Sequence, residues 1–322
     1  MKDRSRIAVI GAGAIGSRHI QAMARVAAPI DLDIVDPLPQ ARQRAGALVA
    51  GEGGLSSGTI REFSRIDELD TAPDLAIVAT ASRERPQAVQ AVVARGAGCL
   101  ILEKVLFTRL ADYDAIDRLL AGAGVRAWVN CPLRAYPRAA RLAELIGRAP
   151  FSYRVEGQGW GLACNLVHHL DEFAGLAGRG DISLDTAELD GAIAAAKRDG
   201  YIEFNGRISA QAGEQNSFVA ICNAGPATGR HVQIETGDKS VTVSREQELI
   251  IVNGGGARAE PYPMPSQSQM TNRHVEAILA GQHPGLPEYV SASQLHRSML
   301  AAFLGHLRRS MGDDSIDECP IT

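Results

Sequence analysis

A short apolar run ending in a glycine-rich turn constrains this chain more than any other feature: residues 7–19 read IAVIGAGAIGSRH. The run at 7–10 does not alternate and is rich in β-branched residues, the pattern of a parallel strand buried on both faces. Gly11, Gly13 and Gly16 follow with the spacing G-x-G-x-x-G. Between a strand and a helix, such glycines permit a tight turn, close approach of backbone to a pyrophosphate, and tight helix–strand packing, with the phosphates over the helix N-terminus. Ile15, Ile20, Met23 and Val26 supply the helical pattern, and residues 31–35 read as a second strand ending in Asp36. That carboxylate stands about twenty residues beyond Gly16, where an acid accepts hydrogen bonds from the adenosine ribose. A purely structural glycine turn is the alternative, and the surrounding strand, helix and acid weigh against it.

The same rhythm continues. A helix at 40–50 is followed by a Gly/Ser-rich loop at 51–58, a short strand at 59–63, and an apolar strand at 75–79 that ends in Thr80-Ala81-Ser82. A helix at 85–95 stops at Gly96 and Gly98, a strand at 99–102 ends in Glu103-Lys104, a helix spans 110–121, and a strand at 125–129 ends in Asn130. Strands alternating with helices predict a doubly wound parallel α/β sheet over residues 1–130. The glycines, Asp36, Thr80, Glu103-Lys104 and Asn130 all follow the carboxyl ends of strands, the edge at which open α/β sheets bind ligands. On that placement the cofactor contacts are Gly11, Ala12, Gly13, Ala14, Ile15 and Gly16 of the turn, Asp36, Ala79, Thr80, Ala81, Glu103, Lys104 and Asn130. Arg134, just beyond the last strand, is added to them, with a plain surface cation as its other reading.

Beyond about residue 151 the pattern changes. Residues 152–160 alternate loosely like a strand, 164–176 is helical, and strands then dominate at 201–204, 207–211, 217–223, 231–235, 240–244 and 248–252, with a turn at 236–239. Asn205-Gly206 between the first two signals a two-residue hairpin. An antiparallel α+β domain over 131–322 is expected, with a proline-rich linker or edge crossing at 261–265 and closing helices at 270–280 and 291–310 that can pack back on the first domain.

Length agrees with two domains, since 322 residues exceed the size at which one core keeps growing. A formal charge of −4 gives no basic footprint for nucleic acid. No apolar run approaches the ~18 residues that span a membrane, and residues 1–6 lead directly into a strand, so a cytoplasmic protein is expected. The five cysteines, odd in number and without a C-x-x-C pair, read as reduced thiols.

Two places can carry chemistry. Lys104, at the end of a buried strand beside a dinucleotide, can hold its ammonium on a substrate oxygen and stabilise alkoxide character during hydride loss; it can equally pair with Glu103 or contact phosphates. In the helix CNLVHHLDE at 164–172, Cys164, His168 and Asp171 or Glu172 share a face while His169 points elsewhere. His168 can exchange a proton near neutral pH, or can be a satisfied core histidine. A metal site on Cys164, His168 and Asp171 or Glu172 is disfavoured because neighbouring positions on one helix converge poorly and nothing distant completes the shell, so no metal is expected. Tyr136, Trp160, Asn165 and His169 join Lys104, Cys164 and His168 as candidate substrate contacts, Trp160 as a sugar-stacking surface or as domain packing.

With these residues in view, the chain resembles the Gfo/Idh/MocA family (glucose–fructose oxidoreductase, inositol dehydrogenase and relatives) in four pieces: GAGAIGSRH at 11–19, LEK at 102–104, RAYP at 134–137 and HHLD at 168–171. The resemblance implies a Rossmann domain and a C-terminal domain whose open, mostly antiparallel sheet carries the substrate cleft and the contact of a homodimer or homotetramer. It implies NAD- or NADP-dependent oxidation or reduction at a ring hydroxyl of a sugar, cyclitol or nucleotide-linked sugar. Lys104 then matches the lysine of an E-K-P motif and His168 the histidine of D-x-x-x-H. Two departures stand out: Val105 replaces the proline, which is often cis-bonded, so the backbone there is expected to differ, and Cys164 replaces the aspartate, leaving the Asp–His relay incomplete. A regulatory NAD- or sugar-binding protein and a reductase of imines or non-sugar carbonyls are the other readings. Asp36 favours NAD, because a carboxylate repels the 2′-phosphate of NADP, while Arg42 and Arg44 work weakly the other way.

Overall fold

The structure, a computed structural model, describes residues 4–178, 180–244, 248–254 and 257–322. The chain divides into two compact units, the first comprising Met1–Phe107, Ala111–Asn130 and Pro265–Val290, the second Thr108–Leu110, Cys131–Met264 and Ser291–Thr322. Residues 1–3 of the N-terminal lead lie outside the described residues.

In the first unit the chain runs β1 (Ser5–Ile10), α1 (Ala14–Ala22), β2 (Ile30–Val35), α2 (Pro39–Gly51), β3 (Ile60–Phe63), β4 (Leu75–Val78), α3 (Arg85–Ala94), β5 (Cys99–Leu102), α4 (Leu110–Ala123) and β6 (Arg126–Val129). The six strands form one parallel sheet in the order β3-β2-β1-β4-β5-β6. The lack of alternation in the strands is explained by burial on both faces: Ile7, Ala8, Val9, Leu75, Ala76 and Ile77 are fully buried. On α2, Ala41, Ala45 and Val49 recur every four residues and form its buried stripe. The chain leaves β1 for β2 on one side and later returns to β4 on the other, which makes the β1–β4 boundary the switch point of the sheet.

The second unit holds α5 (Pro137–Ile146), β7 (Ser152–Gln158), α6 (Leu162–Ala177), β8 (Ile182–Asp185), β9 (Ala194–Ala195), β10 (Ile202–Glu203), β11 (Gly206–Ala212), β12 (Asn216–Asn223), β13 (Arg230–Glu235), β14 (Ser240–Ser244), β15 (Leu249–Asn253) and β16 (Arg258–Pro261). An eight-stranded sheet runs β16-β15-β14-β13-β7-β12-β11-β8, antiparallel throughout except for the parallel pair β7–β12. Alternate residues such as Tyr153, Val155, Phe218, Ala220, Val232 and Ile234 are buried. On α6, Leu166, Leu170 and Phe173 are buried, and Phe173 packs against Phe218 with ring centroids 5.4 Å apart.

Of the closing helices, α7 (Gln267–Leu279) is counted with the parallel sheet, and its Val275 and Ile278 join the core cluster of Ile20 and Met23. The last helix, α8 (Tyr289–Met311), lies almost entirely in the second unit. The prolines at 261–265 begin where the edge strand β16 ends, a position that leaves a missing N–H without cost to a ladder.

One expectation for the second unit fails. Asn205-Gly206 is not a hairpin turn: β10 pairs with β9, while β11 pairs with β8 and β12. Gly206, at φ +101°, is required by close approach, because a Cβ there would stand 2.6 Å from the amide nitrogen of Asp190. Phe204 is drawn away from the strand pairing to stack on Phe303 of α8, 4.7 Å between centroids. Among the described residues, no helix is long and apolar enough to cross a membrane.

Candidate active site

The site in the first unit begins with the glycine turn. Gly11 has φ +93° and passes so close to the end of β4 that a Cβ would lie 3.0 Å from the Thr80 nitrogen. Gly16 admits no side chain at all, since its Cβ would fall 1.8 Å from the Gly11 carbonyl oxygen. Gly13 caps α1 from extended backbone, with no side-chain cap and no acid in the first turn, and a Cβ there would meet nothing within 4 Å. The first N–H groups of the helix, near Ala14 and Ile15, therefore face a position suited to an anion. Asp36 Oδ2 accepts the Ala12 N–H at 2.7 Å and Oδ1 accepts the Leu38 N–H at 2.9 Å. Each oxygen keeps a further lone pair for a ribose hydroxyl. Arg42 is held nearby on the Asp36 carbonyl at 2.6 Å and on Glu62 at 3.3 Å, while Arg44 is exposed.

The remaining strand ends are stitched to one another. Ala79 N–H donates to the Ile10 carbonyl at 2.8 Å, Glu103 N–H to Val78 at 3.0 Å and Asn130 N–H to Leu102 at 2.8 Å, so these residues share one edge of the sheet. Two polar atoms here, Thr80 Oγ1 and Asn130 Oδ1, are buried with no hydrogen-bond partner among the described residues. Buried polar groups are normally satisfied, so both fit contact with a ligand bound along this edge. Together with the uncapped helix and Asp36, they match what a dinucleotide needs.

Glu103 is buried, yet its carboxyl is held at about 2. Burial pushes it up, and the hydrogen bond and charge of His19, the charge of Lys104 and the Asn130 amide more than offset this. His19 Nε2 lies 2.8 Å from Glu103 Oε1, and Oε2 accepts the Lys104 main-chain N–H at 3.2 Å. Lys104 itself is half-buried, and the Lys104–Val105 peptide is cis. The expectation that the backbone differs here is therefore not met: the peptide before Val105 is cis, as it often is before the proline that Val105 replaces. Arg85, fully buried, donates to the carbonyls of Val105, Leu106 (3.0 Å) and Thr80, tying the turn after β5 to the end of β4. Sequence reasoning missed Arg85 and gave His19 no role; the only sequence signal is that His19 lies three residues beyond Gly16, on the first turns of α1.

In the second unit, α6 starts at Gly161 in the left-handed conformation, φ +74°, with no cap of its own. Glu203 of β10 supplies one, accepting the N–H groups of Ala163 at 2.8 Å and Cys164 at 3.3 Å. Asn165 donates to the carbonyls of Trp160 at 2.8 Å and Gly161 at 3.1 Å, so its amide nitrogen braces the loop. Cys164 and His168 are half-buried on one side of the helix, as the four-residue spacing requires. His169 is buried: Tyr153 Oη lies 2.9 Å from Nδ1, and Arg230 donates to Nε2 at 3.1 Å. Glu172 accepts from Tyr153 at 2.7 Å and pairs with buried Arg138 at 2.7 Å. Asp171 accepts from Arg134 at 2.7 Å; burial pushes its carboxyl up to about 6 although Arg134 pulls the other way. Trp160 is buried, donating to the Ile221 carbonyl at 2.8 Å beneath Arg230, and Tyr136 is buried at the start of α5. Arg134, Trp160 and His169 are thus occupied inside this unit, and nothing in the sequence pointed to Arg138, Tyr153, Glu203 or Arg230.

A parallel sheet with a reversal of strand order, a glycine turn and a ribose-directed acid define a dinucleotide-binding domain. Residues 5–131 match the family model GFO_IDH_MocA, described as the oxidoreductase family with an NAD-binding Rossmann fold. The match gives a nicotinamide dinucleotide as the cofactor of this unit. No curated protein matches the chain. Among solved structures, UDP-N-acetylglucosamine 3-dehydrogenase GnnA from Acidithiobacillus ferrooxidans is similar at 17% identity and a TM-score of 0.68, covering 95% of this chain and 97% of that one. An oxidoreductase from Agrobacterium radiobacter in complex with NAD+, L-tartaric acid and magnesium is similar at 15% and 0.69, covering 97% and 98%. KijD10, a 3-ketoreductase from Actinomadura kijaniata in complex with NADP, is similar at 16% and 0.70, covering 93% and 96%. These likenesses establish the two-part α/β fold.

Proposed function

We propose that this protein is an NAD-dependent oxidoreductase acting between a ring hydroxyl and the corresponding ketone of a sugar, cyclitol or nucleotide-linked sugar. The observation that carries the reading is Lys104, set immediately after an anionic, buried Glu103 on the edge shared by the glycine turn, Asp36, Thr80 and Asn130. A nicotinamide dinucleotide held along this edge would supply the hydride chemistry. Lys104 holds its ammonium on the substrate oxygen and stabilises the charge that grows there as hydride leaves the carbon. His168 of α6 takes up or returns the hydroxyl proton, a role assigned from the family resemblance; with Cys164 in place of the usual aspartate, it works without a carboxylate four residues before it. The likeness to a UDP-N-acetylglucosamine 3-dehydrogenase and to a 3-ketoreductase supports the substrate class. A cytoplasmic homodimer or homotetramer formed through the C-terminal sheet completes the reading.

NAD is favoured over NADP by Asp36, whose carboxylate repels a 2′-phosphate, and by Arg42, engaged with Glu62. Titration with both cofactors checks this, and tighter NADP binding overturns it. Turnover of NAD+ or NADH over a panel of free sugars, inositols and UDP- or TDP-sugars tests the activity. Reduction or oxidation of one such class by the wild-type protein, lost in Lys104→Met, is the expected result. Cofactor binding without turnover across the panel, unchanged by Lys104→Met, would instead identify a sensor.

A further inference from the structure

Five side chains of the first unit close a ring of hydrogen bonds behind Lys104. His19 Nε2 lies 2.8 Å from Glu103 Oε1; Asn130 Nδ2 donates to Glu103 Oε1 and, at 2.9 Å, to Gln267 Oε1; Gln267 Nε2 donates to Thr271 Oγ1 at 2.8 Å; and Thr271 Oγ1 lies 2.8 Å from His19 Nδ1. The members come from α1, the ends of β5 and β6, and α7, and His19, Glu103, Asn130 and Thr271 are all buried.

The ring has a direction. An ionised carboxylate only accepts, so His19 Nε2 carries a proton toward Glu103 and Asn130 must present its nitrogen there. Both hydrogens of that amide are then used, on Glu103 and on Gln267, which leaves Asn130 Oδ1 as the buried acceptor with no partner among the described residues. A neutral Glu103 carries a donor of its own, and would draw Oδ1 toward itself.

Resting on the oxidoreductase reading above, we infer that His19 is a positioning residue: by keeping Glu103 a carboxylate it fixes the turn that carries Lys104 and presents Asn130 Oδ1 as an acceptor for the carboxamide N–H of nicotinamide. The groups that bear on Glu103 are His19 from α1, Lys104 on its own turn and the uncharged Asn130, Gln267 and Thr271. From α7, His274 bears on His19, but burial pushes it down to about 4 and keeps it neutral in the range tested. With His19 in place Glu103 stays at about 2; without it, the upward push of burial is the largest influence left.

The test is NADH affinity, read by fluorescence from pH 8 to pH 5 on the full-length protein. Wild type is expected to change by less than about twofold, and His19→Gln to lose about tenfold or more toward pH 5 while approaching wild type at pH 8. Thr271→Val, which removes the hydroxyl on His19 Nδ1 together with its bonds to Gln267 but leaves Nε2 on Glu103, is expected to show the same acid-side loss more weakly, and stands in should His19→Gln not fold. A loss of affinity that is constant across the pH range in these variants marks a merely structural role and overturns the inference. Wild-type protein that binds no NADH overturns the oxidoreductase reading and the inference with it, an outcome distinct from the flat profile.

Discussion

Glu103 and Asp171 are both buried carboxylates beside a basic side chain, one at the end of a parallel strand and one in helix α6, and they are pushed in opposite directions. Glu103 is held at about 2 and Asp171 at about 6. Burial raises both, so the difference lies in the donors. His19, the Asn130 amide and a main-chain N–H converge on Glu103, whereas Asp171 has Arg134 as its cation and Glu172 as a like charge next in sequence. A strand end collects donors from several elements at once; a helix face offers few, and those it has are shared among neighbouring acids. The strand-end region consequently keeps its charge, while much of the HHLD segment is engaged inside the second unit.

Substitutions that break the strand-end region have the largest expected effects. Gly16→Val drives a side chain into the Gly11 carbonyl and is expected to abolish NADH binding and to lower stability by about 3 kcal/mol, measured by fluorescence titration and urea unfolding. Lys104→Met leaves the glycine turn intact and is expected to reduce kcat by roughly 10²–10³-fold with NADH affinity nearly unchanged. A loss of affinity equal to the loss of kcat would reassign Lys104 to cofactor binding.

On the helix side, the effect is on stability. Because Asp171 sits at about 6 in the folded protein against an ordinary 3.8, the folded state keeps a proton that the unfolded chain has released between about pH 4 and pH 6. Stability therefore falls as pH rises through that window, by roughly 3 kcal/mol from this residue, and levels off above it. Asp171→Asn should remove that slope in urea unfolding measured at several pH values; an unchanged slope would place the burden on another group. The smallest expected effect is Asp36→Ala, which should weaken NAD binding by about tenfold, the loss of one charge-assisted hydrogen bond, and narrow the gap to NADP.

The first unit was largely legible in the sequence because each of its signals is local. An apolar run of 4–6 residues, glycine punctuation and a polar residue at the strand end each occupy a few consecutive positions, and the parallel topology places all the strand ends on one edge. His19, Arg85, Gln267 and Thr271 were invisible as partners because Gln267 and Thr271 lie more than a hundred residues from Glu103 and come back only through α7. In the second unit β7 and β10 to β15 were read within a residue or two from their patterning, while the short strands β8, β9 and β16 were not read, and Asn205-Gly206 misled: Gly206 answers to a close backbone approach, a demand indistinguishable in sequence from a hairpin turn. His169, Trp160 and Arg134 have partners far away in sequence, and no local signal told of those partners.

The central claim, hydride exchange at a sugar carbon assisted by Lys104, is tested most directly by isotope transfer. Wild-type protein and Lys104→Met are incubated with deuterated NADH, carrying the label at nicotinamide C4, and with keto forms of sugars, cyclitols and nucleotide-linked sugars, and the products are examined by mass spectrometry. The account predicts deuterium on a ring carbon of one of these classes with wild-type protein and a signal reduced by at least about a hundredfold with Lys104→Met. Deuterium that never leaves the bound cofactor, or transfer that proceeds equally well without Lys104, would contradict it.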